Sequence, residues 1–155
     1  MAFQIAVCGP GECTDAEAAH ARRVGELLAE RGAVVLCGGG SGVMAAVAAG
    51  ARSRNGTVVG IRPGQSREGA SADLSVTVVT NLGEARNAVL VWSADAVIVV
   101  GGSWGTLSEL ALAMRRGGVP VLVLGGWRVV GPDGAPVPGP TYVDGPEQAV
   151  ALALP

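Results

Sequence analysis

Short runs of valine, isoleucine, leucine and alanine recur along the chain, separated by stretches in which apolar residues return every three or four positions. The runs predict strands and the spaced stretches predict helices, because side chains alternate faces in a strand and share a face at i, i+3 and i+4 in a helix. "FQIAVCGPG" predicts a first strand closing in a turn. Asp15 to Arg31 predicts an amphipathic helix with Ala18, Ala21, Val24, Leu27 and Leu28 on its apolar face, Thr14 as N-cap and Gly32 as stop. "AVVLCGGG" predicts a second strand, Val43 to Arg52 a helix of small residues, and "TVVGI" a third strand. Pro63 to Ala72, polar and carrying two glycines, predicts a mobile loop. "LSVTVVT", "LGEARNAVLVWSA", "DAVIVVGG", "TLSELALAMRRG" and "VPVLVLGG" continue as strand, helix, strand, helix and last core strand. Gly131 to Gly145, crowded with proline and glycine, predicts a loop or short hairpin, and "PEQAVALAL" a closing helix opened by Pro146.

Strands that alternate with helices need crossover connections, which are right-handed and lay the strands parallel. Valine runs without polar alternation suit strands buried on both faces. The expected fold is therefore α/β: a Rossmann-like, doubly wound, mostly parallel sheet in a three-layer αβα sandwich. The 155 residues are enough for one domain with its own core, with no repeat or linker to divide it, so residues 1–155 are read as a single domain.

Composition narrows the chemistry. The net charge is −2 with no basic block or acidic tail, which argues against a nucleic-acid or membrane-surface partner. The N-terminal residues lack a signal-peptide pattern and no apolar run is long enough to span a bilayer, so a cytoplasmic location is expected. Every basic residue is an arginine. Without lysine there is no P-loop lysine, no Schiff base and no pyridoxal-phosphate chemistry. Cys8, Cys13 and Cys37 form no CxxC pair and are expected to be reduced, with Cys8 and Cys37 as small buried hydrophobes. His20, the only histidine, has no ligand partner one turn away, so no metal site is expected.

In an open parallel sheet, ligands bind beyond the carboxyl ends of the strands. Glycine-bearing turns fall at such ends at Gly9-Pro10-Gly11, Gly38 to Gly42, Gly101 to Gly105 and Gly125-Gly126. Glycine lets the backbone approach a ligand, and the amides that open a helix carry partial positive charge, so such turns can receive phosphate without lysine. The candidate phosphate-binding residues are Gly9, Gly39, Gly40, Ser41, Gly101, Gly102, Ser103, Gly105 and Thr106. Arg86, opening one helix, and Glu109, in the early turns of another, are expected to border the same crevice; a solvated ion pair is the plainer alternative. Arg62 and Arg67 are read as surface charges or loop contacts, and Trp104 as a lid or as packing. A dinucleotide site is disfavoured: "CGPGECT" lacks the third glycine of the fingerprint, and the second strand ends in glycine where an acid should hold the ribose.

From Ile5 to about Gly126, the segments "CGGGSGVMAAVAAGA" and "ARNAVLVWSADAVIVVGGSWGTLSELALA" resemble the Lonely Guy group of Rossmann-like proteins, often mislabelled lysine decarboxylases, and the related molybdenum-cofactor carrier proteins. The hydrolases of that group carry Pro-Gly-Gly-x-Gly-Thr-x-x-Glu. Gly101, Gly102, Gly105, Thr106 and Glu109 match it, while Val100 replaces the proline and Asn87 replaces the lysine that follows the upstream arginine. The resemblance implies a homodimer or homotetramer with its site near a subunit boundary. Two expectations follow from different classes. As a binding protein, the chain holds a phosphorylated small molecule, a nucleotide or a molybdopterin-type cofactor, and needs no further cofactor. As an enzyme, it is a nucleoside 5'-monophosphate phosphoribohydrolase, acting on a cytokinin riboside 5'-monophosphate among others, with Glu109 and Arg86 as the catalytic pair.

Overall fold

The computed structural model describes all 155 residues. Seven strands form one parallel sheet: β1 (Gln4–Cys8), β2 (Val34–Cys37), β3 (Val58–Arg62), β4 (Val76–Val79), β5 (Ala96–Val100), β6 (Val121–Leu124) and β7 (Thr141–Val143). Their order is β4-β3-β2-β1-β5-β6-β7, so the winding reverses between β1 and β5. The helices are α1 (Asp15–Glu30), α2 (Val43–Ser53), α3 (Arg86–Trp92), α4 (Trp104–Arg116) and α5 (Pro146–Ala153).

The doubly wound α/β reading is thus observed, and the sheet is parallel throughout. Every residue of β5 is buried, as is every residue of β6, which is what an unbroken apolar run requires. Residues alternate between two cores. Ile5 and Val7 of β1 face α1, α2 and α5, together with Val24, Val47 and Val150. Ala6 and Cys8 face α3 and α4, together with Leu90, Val91 and Leu110.

Two segments differ from expectation. At the start of the run from Gly131 to Gly145, Pro136 pairs with the preceding Val130 in a single antiparallel bridge, but Thr141–Val143 forms a seventh strand beside β6. An edge strand needs partners on one side only, so three residues among prolines and glycines are enough. The predicted helix "LGEARNAVLVWSA" divides into a turn of 3-10 helix at Gly83–Ala85 and the seven-residue α3. Arg86 therefore does open a helix.

Local sequence fixes the helix ends. Thr14 caps α1 in a capping box with Glu17: the Glu17 amide donates to Thr14 Oγ1 at 3.1 Å and the Thr14 amide to Glu17 Oε2 at 3.0 Å. Gly25 of α1 and Gly50 of α2 let those helices meet backbone to backbone. A Cβ at Gly25 would lie 2.2 Å from the Val47 carbonyl oxygen, and one at Gly50 would lie 2.0 Å from that of Arg22. Arg116, in the last turn of α4, donates from Nη1 to the carbonyls of Val91 (2.5 Å) and Ala94 (2.6 Å), closing the end of α3. At the amino edge of the sheet, Phe3, Asp95 and Pro120 line one shallow surface cleft with Leu152 to Pro155. No helix is long and apolar enough to cross a membrane.

Candidate functional site

The carboxyl ends of β3, β2, β1 and β5 lie side by side, and each runs into a glycine-bearing turn. Arg86 stands above this crest. Its Nη1 donates to the carbonyls of Gly38 (2.9 Å) and Ile61 (2.5 Å), just past β2 and within β3, and its Nε donates to Asn87 Oδ1 at 2.9 Å. Three bonds hold the guanidinium, and Nη2 keeps no partner within the chain. Arg86 forms no ion pair with any carboxylate; the chain's salt bridges all involve Arg22, Arg23 or Arg54. The plainer reading, a solvated Arg86–Glu109 pair, is therefore not what the structure shows.

Glu109 projects from the second turn of α4 toward the same region. Its Oε2 is shielded from solvent and has no hydrogen-bond partner. Burial raises its pKa, while the Cys8 thiol and the Arg86 charge pull it back part of the way. Arg86 in turn is lowered by burial, supported by Glu109 and opposed by the like charge of Arg62. Arg86 and Glu109 thus face one another electrostatically across the ends of β1 and β2 without closing a contact. Cys8 lies at the floor between them, and its thiol is raised by burial first and by Glu109 second.

The turn after β5 is built as a helix start. Ser103 caps α4, accepting from the Thr106 amide at 3.1 Å, and its hydroxyl also lies 2.9 Å from Thr106 Oγ1. The first backbone bond of α4 runs from the Leu107 amide to the Ser103 carbonyl at 2.8 Å. That leaves the amides of Ser103, Trp104 and Gly105 as the unsatisfied donors of this helix end. Gly105 has open space before it, with the nearest atom to an added Cβ at 3.9 Å.

The other candidate residues divide by surroundings. Gly9 is packed: an added Cβ would lie 2.4 Å from Val43 and 2.5 Å from the Val100 carbonyl oxygen. Gly101 is approached by the Glu17 carboxylate (2.8 Å from an added Cβ) and Gly102 by the Trp127 indole (2.4 Å). Thr106 is only 3% exposed. Its hydroxyl lies 2.9 Å from Ser103 Oγ and is engaged at the helix cap. Ser41 is exposed and donates from Oγ to the Gly11 carbonyl at 2.9 Å, tying the second turn to the first. Gly39 and Gly40 are buried beneath Arg62. Trp104 packs edge-on against Trp127 with ring centroids 5.1 Å apart, yet remains 78% exposed at the mouth of α4.

Arg62 makes the loop contact expected of it, donating from Nη2 to the Glu68 carbonyl at 3.0 Å, and its position adds something the sequence did not suggest. It ends β3, and it lies over the Gly38–Gly40 turn beside Arg86. The available signal was its position at the carboxyl end of a parallel strand, the same criterion that singled out the glycines. His20 lies apart, with Arg128, Tyr142 and Asp144 around a cleft of about 330 Å³ beyond β6 and β7. No three His, Cys, Asp or Glu side chains converge as a metal site would require.

A parallel doubly wound sheet with glycine turns at its switch point, and an arginine tethered over the neighbouring ends of β2 and β3, is a Rossmann-like fold of the kind that binds ligands at this edge. The chain belongs to the SLOG cluster4 family, whose model matches residues 2–136. A protein of Archaeoglobus fulgidus is 44% identical over 132 residues, covering 82% of this chain and 87% of the relative. The cytokinin riboside 5'-monophosphate phosphoribohydrolase of Mycobacterium tuberculosis is 38% identical over 100 residues, covering 63% of this chain and 54% of that enzyme. Among solved structures, the molybdenum cofactor binding protein of Rippkaea orientalis superposes with a TM-score of 0.88 at 33% identity, covering 98% of this chain and 95% of that one. The molybdenum cofactor carrier protein of Chlamydomonas reinhardtii gives a TM-score of 0.79 at 27% identity, covering 97% and 95%. The resemblance carried by the glycine and Arg86–Glu109 motifs is thereby shown at the level of family and fold.

Proposed function

We propose that this chain binds a phosphorylated small molecule at the crest formed by the ends of β1, β2, β3 and β5. One observation carries the reading: Arg86 is fixed by three hydrogen bonds yet has no anionic partner. A cation held in place without a counter-ion is prepared for an anionic group, and the unsatisfied amides of Ser103, Trp104 and Gly105 offer the complementary donors. The molybdenum cofactor proteins among the structural neighbours support a pterin-type ligand. For such a ligand, the α4 amides would hold the phosphate and Arg86 would balance charge.

The test begins with the purified protein. It is denatured, and the released small molecules are identified by mass spectrometry after expression with and without molybdate. A phosphorylated pterin is the expected result for a carrier. Repeated recovery of no phosphorylated compound, together with no measurable binding of added nucleotide, would remove the proposal.

A second reading is favoured by Glu109, whose buried oxygen has no partner, and by the similarity to the Mycobacterium tuberculosis phosphoribohydrolase. A carboxylate poised beside an N-glycosidic bond stabilises the oxocarbenium-like charge that develops when the bond breaks. Arg86 cannot readily give up a proton and would position the phosphate instead. Free base released from AMP or a cytokinin ribotide, and abolished in both Glu109→Gln and Arg86→Ala, would establish turnover.

A further inference from the structure

We infer that Arg62 and Arg86 together form a second anion seat over the Gly38–Gly40 turn, separate from the α4 amides. The ligand of the site would then be anionic at two points. This rests on the reading that the crest takes an anionic ligand, and it adds a residue and a charge requirement to that reading.

The geometry is specific. An added Cβ at Gly38 would lie 2.9 Å from Arg86 Nη1, and one at Gly40 would lie 3.2 Å from Arg62 Nη1. Two guanidiniums therefore flank one short stretch of glycine backbone. Arg62 Nη2 donates to the Glu68 carbonyl at 3.0 Å, while its Nε is shielded from solvent and has no partner. Neither arginine has a carboxylate within salt-bridge distance, and the Arg62 charge helps to lower the pKa of Arg86. Glu109 supports the Arg86 charge only from beyond ion-pair distance.

Two like charges beside each other, one with a buried orphan donor, are costly unless an anion completes them. An oxyanion does so best: its oxygens can accept from the free Nη2 of Arg86 and from Nη1 of Arg62 at once. The seat lies at the ends of β2 and β3, whereas the α4 amides follow β5, with β1 between. At the usual strand spacing the two seats are about 10–14 Å apart, too far for one phosphate to serve both. The chemical class is therefore an elongated small molecule with a phosphate at one end and a second oxyanion or comparable anionic group two to three strand spacings away.

Crystals of the protein soaked in selenate provide the test through anomalous scattering, with phosphate titration calorimetry as the solution counterpart. The expected result is two selenate ions per chain, one on the α4 amides and one between Arg62 and Arg86. Arg62→Gln should empty the second position and weaken phosphate binding there at least about tenfold, the scale of a lost charge-assisted hydrogen bond, while leaving the first occupied. Gly40→Ala is a second, independent variant that keeps both arginines and fills the space beside Arg62; it should also empty the second position. Selenate on the α4 amides alone would overturn this inference and leave a phosphorylated ligand at the crest, held by the amides without Arg86. Selenate at the arginines alone would support the arginine seat and remove the α4 amides from the proposed function. A second ion that persists in both variants would overturn the role of Arg62.

Discussion

Replacing Arg86 with alanine tests structure and function together, and the two effects can be separated by magnitude. The substitution strips the guanidinium from the carbonyls of Gly38 and Ile61, both in buried residues, and from Asn87 Oδ1. Hydrogen bonds to a charged donor contribute about 1.5–3 kcal/mol each, and a buried acceptor left bare costs a similar amount. Against this stands the desolvation that arginine itself suffers, visible as the burial that lowers its pKa. Removing the side chain relieves that cost and admits water to the carbonyls. The balance is a loss of about 2–4 kcal/mol. For a domain of this size that corresponds to a fall in Tm of roughly 4–16 °C. Urea unfolding followed by circular dichroism measures it directly. Arg86→Lys should recover only part of the loss, since an ammonium cannot reproduce the spread of the guanidinium's donors. If Arg86→Ala unfolds at the wild-type midpoint with an unchanged slope, the bonds contribute nothing, and Arg86 is not the preorganised cation on which the functional reading depends.

Glu109 makes a prediction about pH. Its pKa is raised in the folded protein, so the native state binds more protons than the unfolded chain above the ordinary carboxylate range, and stability should fall as pH rises through that window. Glu109→Gln should flatten this decline; urea midpoints between about pH 4 and 8 that fall equally in both proteins would refute the assignment. Gly25→Ala and Gly50→Ala should each destabilise by about 1–3 kcal/mol, because helices α1 and α2 must separate to admit a methyl group. Thermal melts would check this, and an unchanged Tm would show that the helices can slide apart freely. Alkylation followed by mass spectrometry should modify Cys13 first, since Cys8 and Cys37 are fully buried and burial pushes the Cys37 thiol up to about 11. Mild oxidation should give no Cys8–Cys37 disulfide, because the two side chains lie in cores on opposite faces of the sheet; recovery of that crosslink would contradict the register.

The layered fold was legible because its signals are local. The β5 and β6 runs are apolar throughout, and the capping box at Thr14 and Glu17 announces α1 in four residues. The strand Thr141–Val143 escaped because its residues carry no pattern of their own and pair only because β6 presents an edge. The site was legible as a set of turns, since glycine at a strand end is visible in one dimension. What each glycine faces was not. Gly9 is crowded by Val43 and Gly101 by Glu17, contacts that depend on how α2 and α1 pack. Arg62 was passed over for the same reason. An arginine followed by proline and glycine reads as the start of a loop, and only the β2–β3 pairing brings it beside Arg86.

The shallow cleft that joins Phe3 with Leu152 to Pro155 has a practical consequence. These residues sit by the amino ends of β1, β5 and β6, at the opposite end of the strands from Arg86 and the glycine turns. A fluorescent protein or affinity handle fused at either position would project away from the proposed site. Linking Phe3 to Pro155 by a short bridge and reopening the chain elsewhere should yield a circularly permuted form with its binding crest intact.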